Sequence, residues 1–274
     1  VETIDLVTSG ANTIDASGIT GTGVTIAVTD NKQTITGLNL ANSIELGVGA
    51  DVSATSSEID VTAADATGTS DTLTVKISGA STSSIIDASG IENLTLITQA
   101  AADGGTIDLT TFEGDNVTVG SKAGVTSTAT LGLGTLHKNT ESVNSTYADA
   151  LTVSFANSTA AATFVGAGTD IQNVTGSTKG DTVTIGSTGA IAHVVSGGTG
   201  TDTTNISVTT GFVDASTIDT EALNITNAAG VDITVTGAFH AGVDNITLDG
   251  GNSLSTFTTA TLNTALKTFD ASAF

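Results

Sequence analysis

Hydrophobic and polar residues alternate in short bursts along most of the chain. Val24-Thr25-Ile26-Ala27-Val28, Leu73-Thr74-Val75-Lys76-Ile77, Val117-Thr118-Val119, Val183-Thr184-Ile185, Ile206-Ser207-Val208 and Ile233-Thr234-Val235 each set aliphatic side chains on one face and mostly Thr or Ser on the other. That period of two is the mark of a half-buried strand. Gly, Asn or Asp separates the bursts, and helix formers are scarce. An all-β fold follows. Many short strands at close spacing fit an irregular right-handed parallel β-helix (a β-solenoid with Gly/Asp turns) better than the long hairpins of a sandwich, and two β-sandwich lobes are the alternative.

Two loose motifs recur. Apolar-Asp-Ala-Ser appears at Ile14-Asp15-Ala16-Ser17, Ile86-Asp87-Ala88-Ser89, Val213-Asp214-Ala215-Ser216 and Phe269-Asp270-Ala271-Ser272. An Asp in this setting closes a corner by accepting a hydrogen bond from its own backbone two residues on, and cation ligation is the competing use. The second motif is an acid or amide leading into a strand. It is clearest at Ile91-Glu92-Asn93-Leu94-Thr95-Leu96, with weaker copies at Glu2, Glu45, Glu141, Gln172, Glu221 and Asp244-Asn245. Steps between Glu2, Glu45, Glu92 and Glu141 are 43, 47 and 49 residues, two or three coils of a solenoid.

Domain boundaries are faint. Leu133 to Ala150 loses the alternation and holds the only tyrosine, Tyr147. The reading is a first β-rich lobe over 1–135, a linker over 136–150 and a second lobe with glycine turns over 151–274. Ser255 to Lys267 is expected to form a short helix. Residue 1 is Val, with no basic segment before an apolar one, so the sequence reads as a processed product or a section of a longer chain.

Charge narrows the classes of function. The 274 residues carry 28 Asp and Glu against six basic residues, all lysines, for a net charge of -22. Only 12% of residues are charged, so the acidity comes from missing bases. Nucleic-acid binding and a polybasic membrane anchor lack the residues they need, and no apolar run is long enough for a spanning helix. Cys, Pro, Met and Trp are absent, which removes disulfides and thiolate chemistry. His137, His193 and His240 stand alone without metal-hydrolase spacing. Aromatic residues make up 3%, too few for a sugar-stacking groove. No enzyme is expected. The sequons at Asn93, Asn116, Asn173, Asn224 and Asn245 lie in expected strands, where a glycan would block pairing.

The most specific chemistry lies at Gly197-Gly198-Thr199-Gly200-Thr201-Asp202. Glycines permit a tight turn whose carbonyls face inward, and the Asp completes an oxygen shell suited to a hard cation such as Ca²⁺. Gly166-Ala167-Gly168-Thr169-Asp170 keeps the glycines; Gly180-Asp181, Gly114-Asp115 and Ser70-Asp71 keep the Asp and a following aliphatic residue. Asp202, Gly198, Gly200, Asp170, Gly166, Gly168, Asp181, Asp115 and Asp71 are the candidate calcium ligands. Position eight of the repeat, usually a large aliphatic residue, is Thr204.

Glycine turns of this kind, interleaved with Asp-Ala-Ser-Gly-Ile and Glu-Asn-Leu-Thr-Leu, resemble bacterial S-layer and large RTX-type surface proteins exported by type I secretion. The resemblance implies secretion to the cell surface, calcium-dependent folding and assembly of identical subunits, with a cell-surface polysaccharide as a candidate anchor. The expected function is a structural subunit of a self-assembling surface layer or extracellular filament. The alternative is an adhesin or biofilm-matrix segment that binds a glycan or host surface.

Overall fold

The computed structural model describes residues 3–6, 12–15, 17–18, 25–28, 33–38, 44–47, 57–63, 72–77, 80–102, 104–167, 170–187, 191–209, 212–228, 231–250, 257–262 and 266–273. Candidates Asp71 and Gly168 lie outside them. Every regular element among the described residues is a β-strand, and the strands pair in parallel. The fold is a parallel β-solenoid. The chain divides into two compact units, Val1–Asp149 and Ala150–Phe274.

In the first unit, successive strands go alternately to two sheets. Thr3–Leu6, Thr25–Val28, Ile44–Gly47, Thr72–Ile77, Asn93–Thr98, Asn116–Ser121 and Ser142–Ser145 follow one another in one sheet, and the strands between them build the other. Each coil thus supplies a strand to both sheets and turns the same alternate residues inward. The register stacks Leu73, Leu94, Val117 and Val143 in one buried column, and Val75, Leu96 and Val119 in the next. Each such side chain contributes roughly 1.5–3 kcal/mol on burial. Parallel sheets are usually covered on both faces. Here the coil covers only the inner face, which is why the strands alternate in sequence like antiparallel ones. The stretch read as a linker contains the strand Ser142–Ser145 and the buried Tyr147, whose hydroxyl donates to the Ala129 carbonyl at 2.5 Å.

The second unit repeats the scheme with Thr163–Gly166, Thr182–Ser187, Thr203–Val208, Ala222–Asn227, Asn245–Asp249 and Thr268–Ala273 in one sheet. Leu151–Ser154, Gln172–Thr175, Val194–Ser196 and Ile218–Asp219 lie in a second, and Phe212–Asp214, Ile233–Ala238 and Phe257–Thr261 form a third. No helix forms over the described residues of the stretch Ser255–Lys267. Phe257–Thr261 is instead a strand in register with Ile233, Thr234 and Val235, because β-branched threonines favour a strand and a parallel partner was at hand. The main core column runs through Phe164, Val183, Thr204, Leu223 and Ile246. Thr204, in the place of the expected aliphatic residue, is buried and satisfied by the Thr220 hydroxyl at 3.1 Å.

The Asp-Ala-Ser motif acts as a corner. Ser17 N–H donates to Asp15 Oδ1 at 3.0 Å, Ser216 N–H to Asp214 Oδ1 at 3.0 Å and Ser272 N–H to Asp270 Oδ1 at 2.9 Å. The hydrogen bonds from Ser17 and Ser272 hold the Asp15 and Asp270 carboxyls below the usual carboxylate range. Asp87 differs: it lies within the long strand Ala80–Ser89, paired with Asp60.

Candidate functional site

Three of the predicted ligands, Asp115, Asp181 and Asp202, occupy one structural position. Each immediately precedes a strand of its unit's first sheet, and the parallel register brings that position to the same corner in every coil. In the first unit the corner reads Glu92, Asp115, Glu141; in the second, Ala162, Asp181, Asp202, Glu221, Asp244, Lys267. The motif of an acid leading into a strand is this corner, seen once per coil. Sequence reasoning treated Glu221 and Asp244 as weak motif copies and did not join them to Asp202. Coil lengths differ, so no fixed period in the sequence reveals the column.

The corner is bonded in two ways. In the first unit the backbone does the work: Asp115 N–H and Asn116 N–H both donate to the Glu92 carbonyl at 3.0 Å, and Glu141 and Ser142 repeat this on the Asp115 carbonyl at 2.8 and 3.0 Å. The carboxylates of Asp115 and Glu141 point to solvent. In the second unit Asp244 and Lys267 keep this backbone pattern, on the Glu221 and Asp244 carbonyls, but the carboxylates of Asp181, Asp202 and Glu221 turn in. Ala162 N–H donates to Asp181 Oδ1 at 2.6 Å, Asp181 N–H to Asp202 Oδ1 at 2.8 Å and Asp202 N–H to Glu221 Oε2 at 2.8 Å. Each acid therefore caps the backbone of the coil before it, and Asp181 and Asp202 are buried.

The glycine turns make that inward placement possible. Gly176 to Asp181 and Gly197 to Asp202 are successive turns lying directly on each other. Gly198 has φ +95°, and a Cβ there would collide with the Ser177 carbonyl oxygen. At Gly200, with φ +144°, a Cβ would collide with the Lys179 carbonyl. Within the first of these turns, Asp181 also accepts from Ser177 N–H at 2.5 Å and Ser177 Oγ at 2.8 Å. Its carboxylate thus accepts from two N–H groups and one hydroxyl. Asp202 lies one coil further on. Burial pushes its carboxyl upward, and the nearby Glu221, Asp181 and Asp219 carboxylates push it the same way, against the hydrogen bond from Asp181 N–H.

The remaining predicted residues fall elsewhere. Asp170 precedes Gln172–Thr175 in the other sheet, its Oδ1 accepting from Ile171 N–H at 2.6 Å. Gly166 ends the strand Thr163–Gly166, close to the Phe164 ring and to Gln172 Oε1. Among the described residues no group of three or more His, Asp or Glu side chains is gathered around a point that one metal ion could fill. Of the second unit's corner acids, Asp181 and Asp202 are buried in the stacked turns, and Glu221 and Asp244 are partly open to solvent.

One buried polar pair went unseen in the sequence. His193 is 2% exposed, and its Nδ1 accepts from Gln172 N–H at 3.2 Å. His193 Nε2 and Gln172 Oε1 are buried without a hydrogen-bond partner. Burial pulls the imidazole down to about 4, with Asp170 opposing part of that fall. Comparison with protein-family models, curated proteins and solved structures finds no match to this chain.

Proposed function

We propose that the chain is a structural subunit of a self-assembling bacterial surface layer or extracellular filament, secreted to the cell surface and ordered by calcium. The observation that carries this reading is the corner column of the second unit, where Asp181, Asp202, Glu221 and Asp244 follow one another coil by coil. Like charges held in a row oppose both folding and association, and six lysines cannot neutralise 28 acids. Divalent cations can. At roughly millimolar Ca²⁺, a site with a dissociation constant of about 10⁻⁴–10⁻³ M adds about 0.4–1.4 kcal/mol. Several such sites together are comparable with the stability of a domain.

The test is electron microscopy and circular dichroism of the purified chain with Ca²⁺ and with excess EGTA. Ordered sheets or fibres are expected with Ca²⁺ and should be lost in chelator. Full β signal and full-size assemblies in EGTA would defeat the calcium reading and leave apolar subunit contacts as the cause.

An adhesin is the second reading. It is favoured by the outward rows of the sheet, where Asn224 Nδ2 donates to Asn205 Oδ1 at 2.9 Å and Asn205 Nδ2 to Thr184 Oγ1 at 3.3 Å. Such neutral amide and hydroxyl rows suit a glycan. An adhesin stays monomeric with Ca²⁺ until its ligand is added.

A further inference from the structure

One inward column of the second unit turns polar. Leu151 faces Gln172, and Asn173 faces Val194, so Leu151, Gln172 and His193 follow one another coil by coil. All three are buried. Gln172 N–H donates to His193 Nδ1 at 3.2 Å. An Nδ1 that accepts carries no hydrogen, so the neutral ring holds its hydrogen on Nε2. The Gln172 amide is oriented as well, because its Nε2 donates to the Asp170 carbonyl at 3.0 Å. That leaves one buried donor, His193 Nε2–H, and one buried acceptor, Gln172 Oε1, on residues already in contact. Neither has a partner, and they do not bond each other. Buried polar groups of folded proteins are almost all hydrogen-bonded, and an orphan bears its full desolvation.

The chemistry of the pair selects what completes it. A protonated Nε2 offers no lone pair, so a metal ion has no ligand there. An anion would meet the lone pairs of Oε1. The missing group must accept from an N–H and donate to an amide oxygen at once, and it must be small, since both atoms are sealed from solvent. Water meets each demand. The facing sheet supplies volume. Gly166 stands in an inward row that Ile185 and Ile206 continue in the following coils. A Cβ on Gly166 would come within 2.7 Å of the Phe164 ring and 3.1 Å of Gln172 Oε1. The side-chain volume that isoleucine fills in those coils is left here to the Phe164 ring, the Gln172 oxygen and its partner. A water takes about 30 Å³, less than an isoleucine side chain.

We propose that the second unit encloses a water molecule at this point, accepting from His193 Nε2–H and donating to Gln172 Oε1. The site does not depend on the assembly reading above. It gives two polar side chains a use inside an otherwise apolar column. Successive coils are then joined twice, directly through Gln172 N–H and His193 Nδ1 and again through the water. Both ring nitrogens are held, and the imidazole is fixed in one tautomer. Buried waters of this kind typically make about three hydrogen bonds and are costly to remove.

Two measurements on the whole chain test this. In nuclear magnetic resonance of isotope-labelled protein at neutral pH, the imidazole nitrogen shifts should place the hydrogen of His193 on Nε2. That hydrogen should give a cross-relaxation peak to water with the sign of a long-lived contact. A high-resolution crystal structure should place a water oxygen about 2.7–3.2 Å from both Nε2 and Oε1. Gln172→Leu removes Oε1 but keeps the backbone N–H that holds Nδ1, so the tautomer should persist while the water peak is lost. Circular dichroism shows whether that variant is folded, and if it is not, the two wild-type measurements decide. A hydrogen on Nδ1 overturns the proposal. So does density in which Nε2 and Oε1 meet directly or lie apart with no water between them, or a water peak that survives undiminished in folded Gln172→Leu.

Discussion

His193 makes the second unit acid-sensitive by an amount that can be worked out. Its Nδ1 accepts a hydrogen bond from Gln172 N–H, so the neutral ring carries its proton on the buried Nε2. A second proton on Nδ1 would face the Gln172 N–H, break that bond and place a cation in a buried site. Burial therefore lowers the folded-state value from 6.5 to about 4. As pH falls below 6.5 the unfolded chain takes up the proton and the folded chain does not, so stability declines. The decline is about 1.4 kcal/mol per pH unit and ends near the folded value, for a total of about 3 kcal/mol. Other titrating groups, Asp202 among them, act on wild type and variant alike. The informative quantity is thus the difference between wild type and His193→Phe in urea unfolding, followed by circular dichroism from neutral pH down to about pH 4. The variant should lose about 1–3 kcal/mol at neutral pH, because the Gln172 N–H loses its acceptor. That deficit should shrink and reverse as the wild type acquires its penalty. A difference that stays constant across the range, or a His193 ring signal titrating near its ordinary value in nuclear magnetic resonance, would refute the reasoning.

Three other outcomes are expected. Gly198→Ala should cost several kcal/mol in thermal or urea unfolding, since strain at positive φ adds to a collision with Ser177; Gly124→Ala, at φ +80° with open space around it, should cost about 1 kcal/mol. Asp202→Ala should lower the melting temperature and weaken Ca²⁺ binding in calorimetry more than Asp60→Ala, because it strands the buried Asp181 N–H, a loss of about 1–3 kcal/mol; equal losses would sink the ranking of the glycine turns. Tyr147→Phe should destabilise the first unit by about 1–2 kcal/mol through loss of the bond to the Ala129 carbonyl, read from urea midpoints.

The strands were legible from their alternation, and the solenoid from how short and closely spaced they are. Val117-Thr118-Val119 alternates so plainly that only the partner strands were in doubt. The Asx corners at Asp15, Asp214 and Asp270 were legible too, since such a bond is local. The acid column was not, because its members meet only through register. Glu92 to Asp115 is 23 residues and Asp115 to Glu141 is 26, so the 49-residue step from Glu92 to Glu141 spans two coils of unequal length. Glu45 and Gln172, which resembled the same motif, lie inside strands, Glu45 against Thr74 and Gln172 against Leu151. The strand at Phe257–Thr261 differs from the short helix expected over Ser255–Lys267 because its threonines favour a strand and its parallel partner, Ile233–Ala238, is distant in sequence.

Strands in a sheet lie about 4.8 Å apart, so the corner from Asp181 to Asp244 is a row of acids at that spacing. In water two unit charges interact with thermal energy at about 7 Å, by Coulomb's law. The row is denser than that. Its members do not meet solvent equally: Asp181 and Asp202 are buried with their oxygens on backbone N–H groups, and Lys267 sits on Asp244, so Glu221 and Asp244 are the acids of the row partly open to counterions. On the calcium reading proposed above, cations would gather there as they do along a phosphate backbone. Mg²⁺ should then substitute for Ca²⁺, and monovalent salt should displace both with a linear dependence of the logarithm of affinity on the logarithm of concentration.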